Sequence, residues 1–258
     1  MERLNELYSY REMILSMVRK DLKGRYKGSV LGFLWTFINP FMQLVIYTIV
    51  FSTFLKSGIE KYYLFLFVAL IPWIFFSSAL TGGAGSIIGQ KDMVKKIYFP
   101  REVIPIAYVS SCFMNMLYSF IIVLIVVLFS GQGINFAAVF CLPIVMGIEY
   151  IMAIGIALFS SAITVYFRDV EHILGIVSQA WMYLTPIMYP ATIIEGKYAI
   201  LFKINPISAV ILAYRDILYY GRVPDMGSLG YSFFCGIFIL ILGEIIFRKL
   251  QRRFAEEL

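Results

Sequence analysis

Six apolar blocks occupy most of the chain, at about 30–55, 63–89, 103–129, 136–165, 172–189 and 229–247. Each is near the length an α-helix needs to cross ~30 Å of hydrocarbon at about 1.5 Å per residue. In lipid every backbone amide must find its partner inside the protein, so blocks this long predict spanning helices. Charge content agrees, with Asp, Glu, Lys and Arg making up 15% of the residues against about 25% in soluble domains. The expected fold class is an all-α polytopic membrane protein with six transmembrane helices, in which residues 1–258 form a single transmembrane domain. The fifth block is the most polar, holding Ser178, Gln179, Thr185 and Pro186. That predicts a helix facing protein or water on one side and bending near its end.

Six crossings place both termini on one side, and basic residues mark that side as cytoplasmic. Sixteen of the 22 lysines and arginines fall in the N-terminal segment, the 90–102 loop, Arg168 and the tail, and six fall opposite. This distribution by side, not by patch, accounts for the net charge of +6 and argues against nucleic acid as a partner.

Residues 1–27 hold no continuous apolar stretch, but Leu4, Leu7, Tyr8, Ile14, Leu15, Val18, Leu22 and Tyr26 recur at helical spacing. This predicts an amphipathic helix at the membrane interface, with packing against protein as the alternative. The external segment 190–228 contains an apolar run, Ile207–Tyr214, too short to span. It reads as a re-entrant helical hairpin before the last span, or as a surface loop.

Enzyme chemistry finds few candidates. The single histidine, His172, stands beside Asp169 and Glu171 with no nucleophile in the pattern, and Thr81–Lys91 lacks the spacing of a phosphate loop. Cys112, Cys141 and Cys235 lie singly in apolar runs and suggest neither metal nor disulfide. Two carboxylates interrupt the spans. Glu149, in the middle of the fourth, is expected to face the bundle interior, either as a gating group or as a tie between helices. Glu244 is expected to pair with Arg248. Phe33, Phe37, Phe41, Tyr47, Phe51 and Phe54 share one face of the first span at helical spacing. Trp181 and Tyr183 in the fifth could join them in a lining along which sugar rings slide, with lipid contact or helix packing as the alternative. Gly28/Gly32 and Gly85/Gly89 offer small faces for close helix approach.

Several strings are more specific: Asp21-Leu-Lys-Gly-Arg-Tyr-Lys-Gly-Ser-Val-Leu-Gly-Phe-Leu-Trp35, Asn39-Pro40, Tyr98-Phe-Pro-Arg-Glu102, Phe167-Arg-Asp-Val-Glu171, Thr185-Pro-Ile-Met-Tyr-Pro190, Asn205-Pro206 and Tyr214-Arg-Asp216. In these the chain resembles, nearly end to end, the membrane (permease) subunit of type-2 ABC exporters of polysaccharides such as O-antigen, capsule and teichoic acid. The resemblance implies a multi-pass protein of the bacterial plasma (inner) membrane. It also implies a homodimer docked on two copies of a separate cytoplasmic ATP-binding subunit, which alone would carry ATP and Mg. This chain would bind no cofactor and catalyse no reaction; its cargo would be an undecaprenyl-diphosphate-linked glycan moved outward.

By the same resemblance the 90–102 loop, with Lys91, Met93, Lys95, Lys96, Ile97, Tyr98, Phe99 and Arg101, would couple the ATPase to the spans, with purely topogenic charge as the alternative. Arg25 and Lys27 stand where the interfacial helix meets the first span, at the depth of a lipid diphosphate, and are candidate headgroup contacts, with generic phospholipid anchoring as the alternative. A different class of function stays open, an ion-coupled secondary carrier that uses Glu149. An integral membrane transferase lacks a catalytic base.

Overall fold

The computed structural model describes residues 2–54, 58–131, 133, 135–193 and 199–258, and all regular structure among them is helical. In chain order the helices are α1 (Glu2–Ser9), α2 (Arg11–Tyr26), α3 (Trp35–Thr48), α4 (Tyr62–Gly89), α5 (Lys91–Lys96), α6 (Val103–Phe129) and α7 (Phe136–Val139). They continue with α8 (Leu142–Tyr166), α9 (Asp169–Tyr183), α10 (Ala199–Ile204), α11 (Pro206–Leu218), α12 (Met226–Leu250) and α13 (Phe254–Glu257). A 3₁₀ turn, Gly32–Leu34, leads into α3, and a π-helical stretch, Ile49–Phe54, follows it.

Helix α4 is the axis of the bundle. Of its most apolar window 78% is buried, against 17% for the first span and 22% for α12, so α3 and α12 are peripheral. Its own sequence allows the close packing. A Cβ added at Gly83 would stand 2.9 Å from that of Ala157 on α8, and one at Gly82 would overlap the Tyr108 ring of α6. Without hydrophobic force between helices in lipid, such small residues let dispersion hold backbones together. The α8–α12 crossing follows the same logic. Gly155 faces the Leu240 backbone at 2.6 Å from an added Cβ, and Gly243 faces the Gly155 carbonyl.

Two apolar clusters lie at different levels. The larger surrounds α4, with α6, α8 and α11. The smaller joins Ile87, Val94, Phe99, Phe247 and Phe254 and draws in Leu7, Ile14 and Met17 from α1 and α2. Both terminal segments thus meet at one end, here called basal. At the opposite, distal end the connecting loops are tied by Lys61 Nζ to the Ser130 carbonyl at 2.7 Å, Asn135 Nδ2 to the Gly221 carbonyl at 3.0 Å and the Tyr219 hydroxyl to the Glu60 carbonyl at 2.6 Å.

Five helical stretches are long and apolar enough to cross a bilayer alone: Gly32–Ser52, Tyr62–Gly89, Val103–Phe129, Phe136–Tyr166 and Met226–Arg253. The fifth apolar block differs from its sequence reading of 172–189. Helix α9 starts earlier, at Asp169, and stops at Tyr183, so its 15 residues reach only about 22 Å at 1.5 Å per residue. Pro186 is the physical reason, because its ring disfavours a helical conformation at Thr185. The irregular continuation is buried, with Thr185 and Ile187 both at 0% exposure. Asn205 stitches it by donating to the Leu184 carbonyl at 3.3 Å and to Thr185 Oγ1 at 3.1 Å. Protein covers this non-helical backbone, the condition under which such a segment is tolerated inside a membrane.

The N-terminal segment is two helices broken at Tyr10, and its apolar arc divides. Val18 is buried and Leu7 and Ile14 pack on the basal cluster, whereas Tyr8 and Leu15 stay exposed. Packing on this chain's own helices therefore takes up much of the face assigned to the membrane. Segment 190–228 contains the helical pair α10 and α11 joined at Asn205, and α11 is buried along most of its length.

Candidate functional site

A groove opens at the basal end where α2 gives way to the first span. It encloses about 850 Å³ and is lined by Lys20, Lys23 and Lys27 together with Phe33 and Tyr118. The three lysines stand at i, i+3 and i+7, so one helical face presents them together. Phe33 meets Tyr118 edge to face at 5.4 Å and Phe37 at 5.3 Å. Three cations beside an aromatic wall form a surface that can receive an anionic headgroup attached to an apolar or sugar-bearing body.

Arg25 has a different position from Lys27. Its Nε pairs with Asp21 at 2.9 Å, and its Nη2 donates at 3.2 Å to both Ser111 Oγ and Cys112 Sγ of α6. Ser111 in turn hydrogen-bonds Asp21. The guanidinium also sits 5.6 Å from the Tyr108 ring. Arg25 is therefore committed to clamping α2 on α6, and Lys27, which is exposed, is the freer of the two cations assigned to a headgroup. Behind the clamp lies a second cavity of about 580 Å³ bounded by Lys20, Asp21, Gly85, Tyr108 and Glu171. Gly85 makes room there, since a Cβ would come within 3.1 Å of the Glu171 carboxylate. At Gly28, Gly32 and Gly89, where small faces are expected, an added Cβ would meet no other element within 4 Å among the described residues.

The aromatic face of the first span does not behave as one surface. Phe33 and Phe41 are exposed, at 48% and 55%, and Phe37 is half-buried. Toward the distal end Tyr47 and Phe51 pack against the main cluster, Phe51 stacking on Tyr62 at 6.0 Å. The side chain of Phe54 lies outside the described residues. On α9, Tyr183 is exposed, whereas Trp181 is drawn inward. Its Nε1 donates to Asn205 Oδ1 at 3.0 Å, and its ring meets Phe76 edge to face at 5.4 Å. Phe33, Phe41 and Tyr183 remain exposed, Phe33 through the part of its ring not set against Phe37 and Tyr118; Tyr47, Phe51 and Trp181 serve the bundle.

The 90–102 loop divides similarly. Helix α5 exposes Lys91, Lys95 and Lys96 and turns Val94 inward. Tyr98 is 92% exposed and Ile97 57%, but Phe99 is buried and Met93 packs on the basal cluster. The apolar side ascribed to a partner is thus half consumed at home. Arg101 donates to the Gln251 carbonyl and lies 5.9 Å from the Phe254 ring, while Gln251 Nε2 donates to Glu102 at 3.1 Å. The loop and the C-terminal tail form one platform, a joint that no local pattern in the sequence announces.

Glu149 is fully buried, and the Tyr214 hydroxyl of α11 donates to its Oε2 at 2.7 Å. The carboxyl ties the fourth span to the distal helical pair. The neighbouring Arg215 is also buried, 3.6 Å over the Phe65 ring, with Nη2 donating to the Ile187 carbonyl at 2.9 Å. Glu244 pairs with Arg248 at 2.6 Å. His172 is exposed, and among the described residues no cluster of metal-ligating side chains occurs.

Sequence comparison extends this picture. The chain is 33% identical to the O-antigen export system permease protein RfbA of Myxococcus xanthus, over 99% of this chain and 98% of that protein. It is 31% identical to the O-antigen export system permease protein RfbA of Klebsiella pneumoniae, over 95% and 94%. The polysialic acid transport protein KpsM of Escherichia coli is 22% identical over 90% and 91%. The sequence model of the ABC-2 type transporter family matches residues 12–219. With that match and a near full-length relative at 33% identity, this chain belongs to the ABC-2 type transporter family.

Proposed function

We propose that this chain is the transmembrane subunit of an ATP-driven exporter that carries a lipid-diphosphate-linked polysaccharide outward, working as a homodimer on two separate ATP-binding subunits. Its named relatives include an O-antigen export system permease protein and a polysialic acid transport protein, which supports a glycan as cargo. In this reading the basal end is cytoplasmic, and the termini lie there with most of the basic residues. Helix α9 and the stitched turn to Pro190 make a sixth crossing, and α10 and α11 form a re-entrant pair near the outer face. Tyr98 and Ile97, standing proud of α5, are the coupling contacts with the ATPase.

The observation that carries this reading is the groove of Lys20, Lys23 and Lys27 against Phe33 and Tyr118. A diphosphate needs several cations at headgroup depth, since each one near a membrane surface contributes about 1 kcal/mol. The exposed rings of Phe33 and Phe41 then continue the wall upward for apolar sugar faces. The test replaces all three lysines by alanine and follows export of the lipid-linked glycan in cells. Loss of export with normal membrane insertion and normal recovery of the ATPase on purification supports the groove. Full export by the triple variant would remove it from the mechanism.

A further inference from the structure

At the distal end a cleft of about 580 Å³ lies between α10, α11 and the start of α12, and its lining includes none of the conduit residues. Phe202, Lys203, Leu212, Asp216, Asp225 and Tyr231 line it. Its charges balance once Arg222 beside it is counted, with Lys203 and Arg222 against Asp216 and Asp225. Lys203 is exposed and makes no hydrogen bond or ion pair among the described residues. Arg222 covers Asp216, yet its Nε and Nη2 bonds, at 2.9 and 2.7 Å, both land on Oδ1 and leave Oδ2 without a bond among the described residues. Asp225 caps α12 through the backbone of Gly227 and Ser228. A cation and a carboxylate, each with open bonding capacity, stand on opposite walls.

Below the cleft α12 continues the pattern in apolar form. Tyr231, Phe234, Phe238, Ile241 and Ile245 recur at three and four residues, so they share one face, and they are between 41% and 73% exposed. A polar, charge-balanced cleft thus stands above an apolar track of about 20 Å, at 1.5 Å per residue from Tyr231 to Ile245. A tyrosine at their junction is characteristic of headgroup depth.

We propose that this cleft and track bind one outer-leaflet phospholipid with a zwitterionic, primary-amine headgroup, its phosphate on Lys203, its ammonium on Asp216 and an acyl chain along α12. The proposal rests on the orientation given above, with the distal end outside. That arrangement decides the headgroup: a purely anionic lipid brings no cation to Asp216 Oδ2, and a trimethylated amine has no N–H to donate to it.

The test measures lipids retained by the full-length chain, purified in detergent after incubation with equal amounts of phosphatidylethanolamine, phosphatidylcholine and phosphatidylglycerol, by native mass spectrometry. The expected result is about tenfold preference for the ethanolamine lipid over the choline lipid, as one charge-assisted bond gives. D216N should bring that ratio to about one. K203A, at an exposed side chain, should lower retention of both lipids together. Equal retention of all three lipids by the wild type, or a ratio unchanged in D216N with an unchanged unfolding midpoint, would overturn the site. Orientation is read separately by labelling V223C in intact cells with a membrane-impermeant maleimide, against the parent chain. Labelling supports an external cleft; no labelling, with labelling recovered after lysis, overturns the orientation whatever the lipid ratio shows.

Discussion

Replacing Tyr214 by phenylalanine removes one hydroxyl and nothing else, and the structure places that hydroxyl 2.7 Å from Glu149 with both residues at 0% exposure. Oε1 of Glu149 has no hydrogen-bond partner among the described residues, so the variant leaves the whole carboxyl without a donor. Stranding a buried polar group costs about 1–3 kcal/mol, which for a chain of this size lowers the unfolding midpoint by about 3–10 °C. Glu149→Leu should cost as much by stranding the Tyr214 hydroxyl instead. Glu149→Gln keeps an acceptor oxygen of the same shape and should stay within about 1 kcal/mol of the wild type. Thermal unfolding of the single variants and of Y214F combined with E149L gives the coupling between them, expected at about 1 kcal/mol or more. Glycan export in cells should survive Glu149→Gln. Wild-type midpoints for Y214F and E149L would refute the tie. Normal folding with export abolished in E149Q would show that the carboxyl must titrate, as the ion-coupled carrier requires.

Three further outcomes are expected. Gly155→Leu should separate α8 from α12, because even a Cβ meets the Leu240 backbone at 2.6 Å; overpacking of about 1–3 kcal/mol or more should appear as reduced yield and a lower unfolding midpoint, with Gly230→Leu, at an open position, as control. In the basal loop Phe99→Ala should destabilise the chain by about 3–5 kcal/mol as a buried aromatic, whereas Tyr98→Ala should leave the midpoint unchanged and reduce recovery of the ATPase on co-purification. The Asp225 carboxyl is held below the usual Asp range by hydrogen bonds from the Ser228 side chain and the Ser228 and Gly227 backbone. Its stabilisation is complete above the ordinary Asp value and is lost as pH falls through the lowered one; Asp225→Asn should remove that contribution to an acid titration of the unfolding midpoint.

Much of this molecule was legible because lipid imposes length. The blocks that became α4, α6, α8 and α12 are long enough that no other structure satisfies their backbones. The end of α9 was harder, since Thr185-Pro186 signals a break but Asn205, twenty residues on, decides that the broken segment stays inside. Tertiary contacts also account for the divided readings of Phe99, Met93, Trp181 and Arg25. Each has the composition of a contact residue and is recruited by a partner remote in sequence: the C-terminal tail, Asn205, or Ser111 and Cys112. The Lys20, Lys23 and Lys27 row was available from helical spacing alone. It was obscured because its importance depends on Phe33 and Tyr118 coming together beside it.

Proteoliposomes offer the most direct measurement, with the purified chain reconstituted alone or with its co-purified ATPase, a lipid-diphosphate-linked glycan in the membrane, and a lectin reporting glycan on the face opposite the ATPase. Glycan should appear there only when both proteins and ATP are present, and a proton gradient without the ATPase should move none. Translocation by the chain alone under an ion gradient would contradict the account.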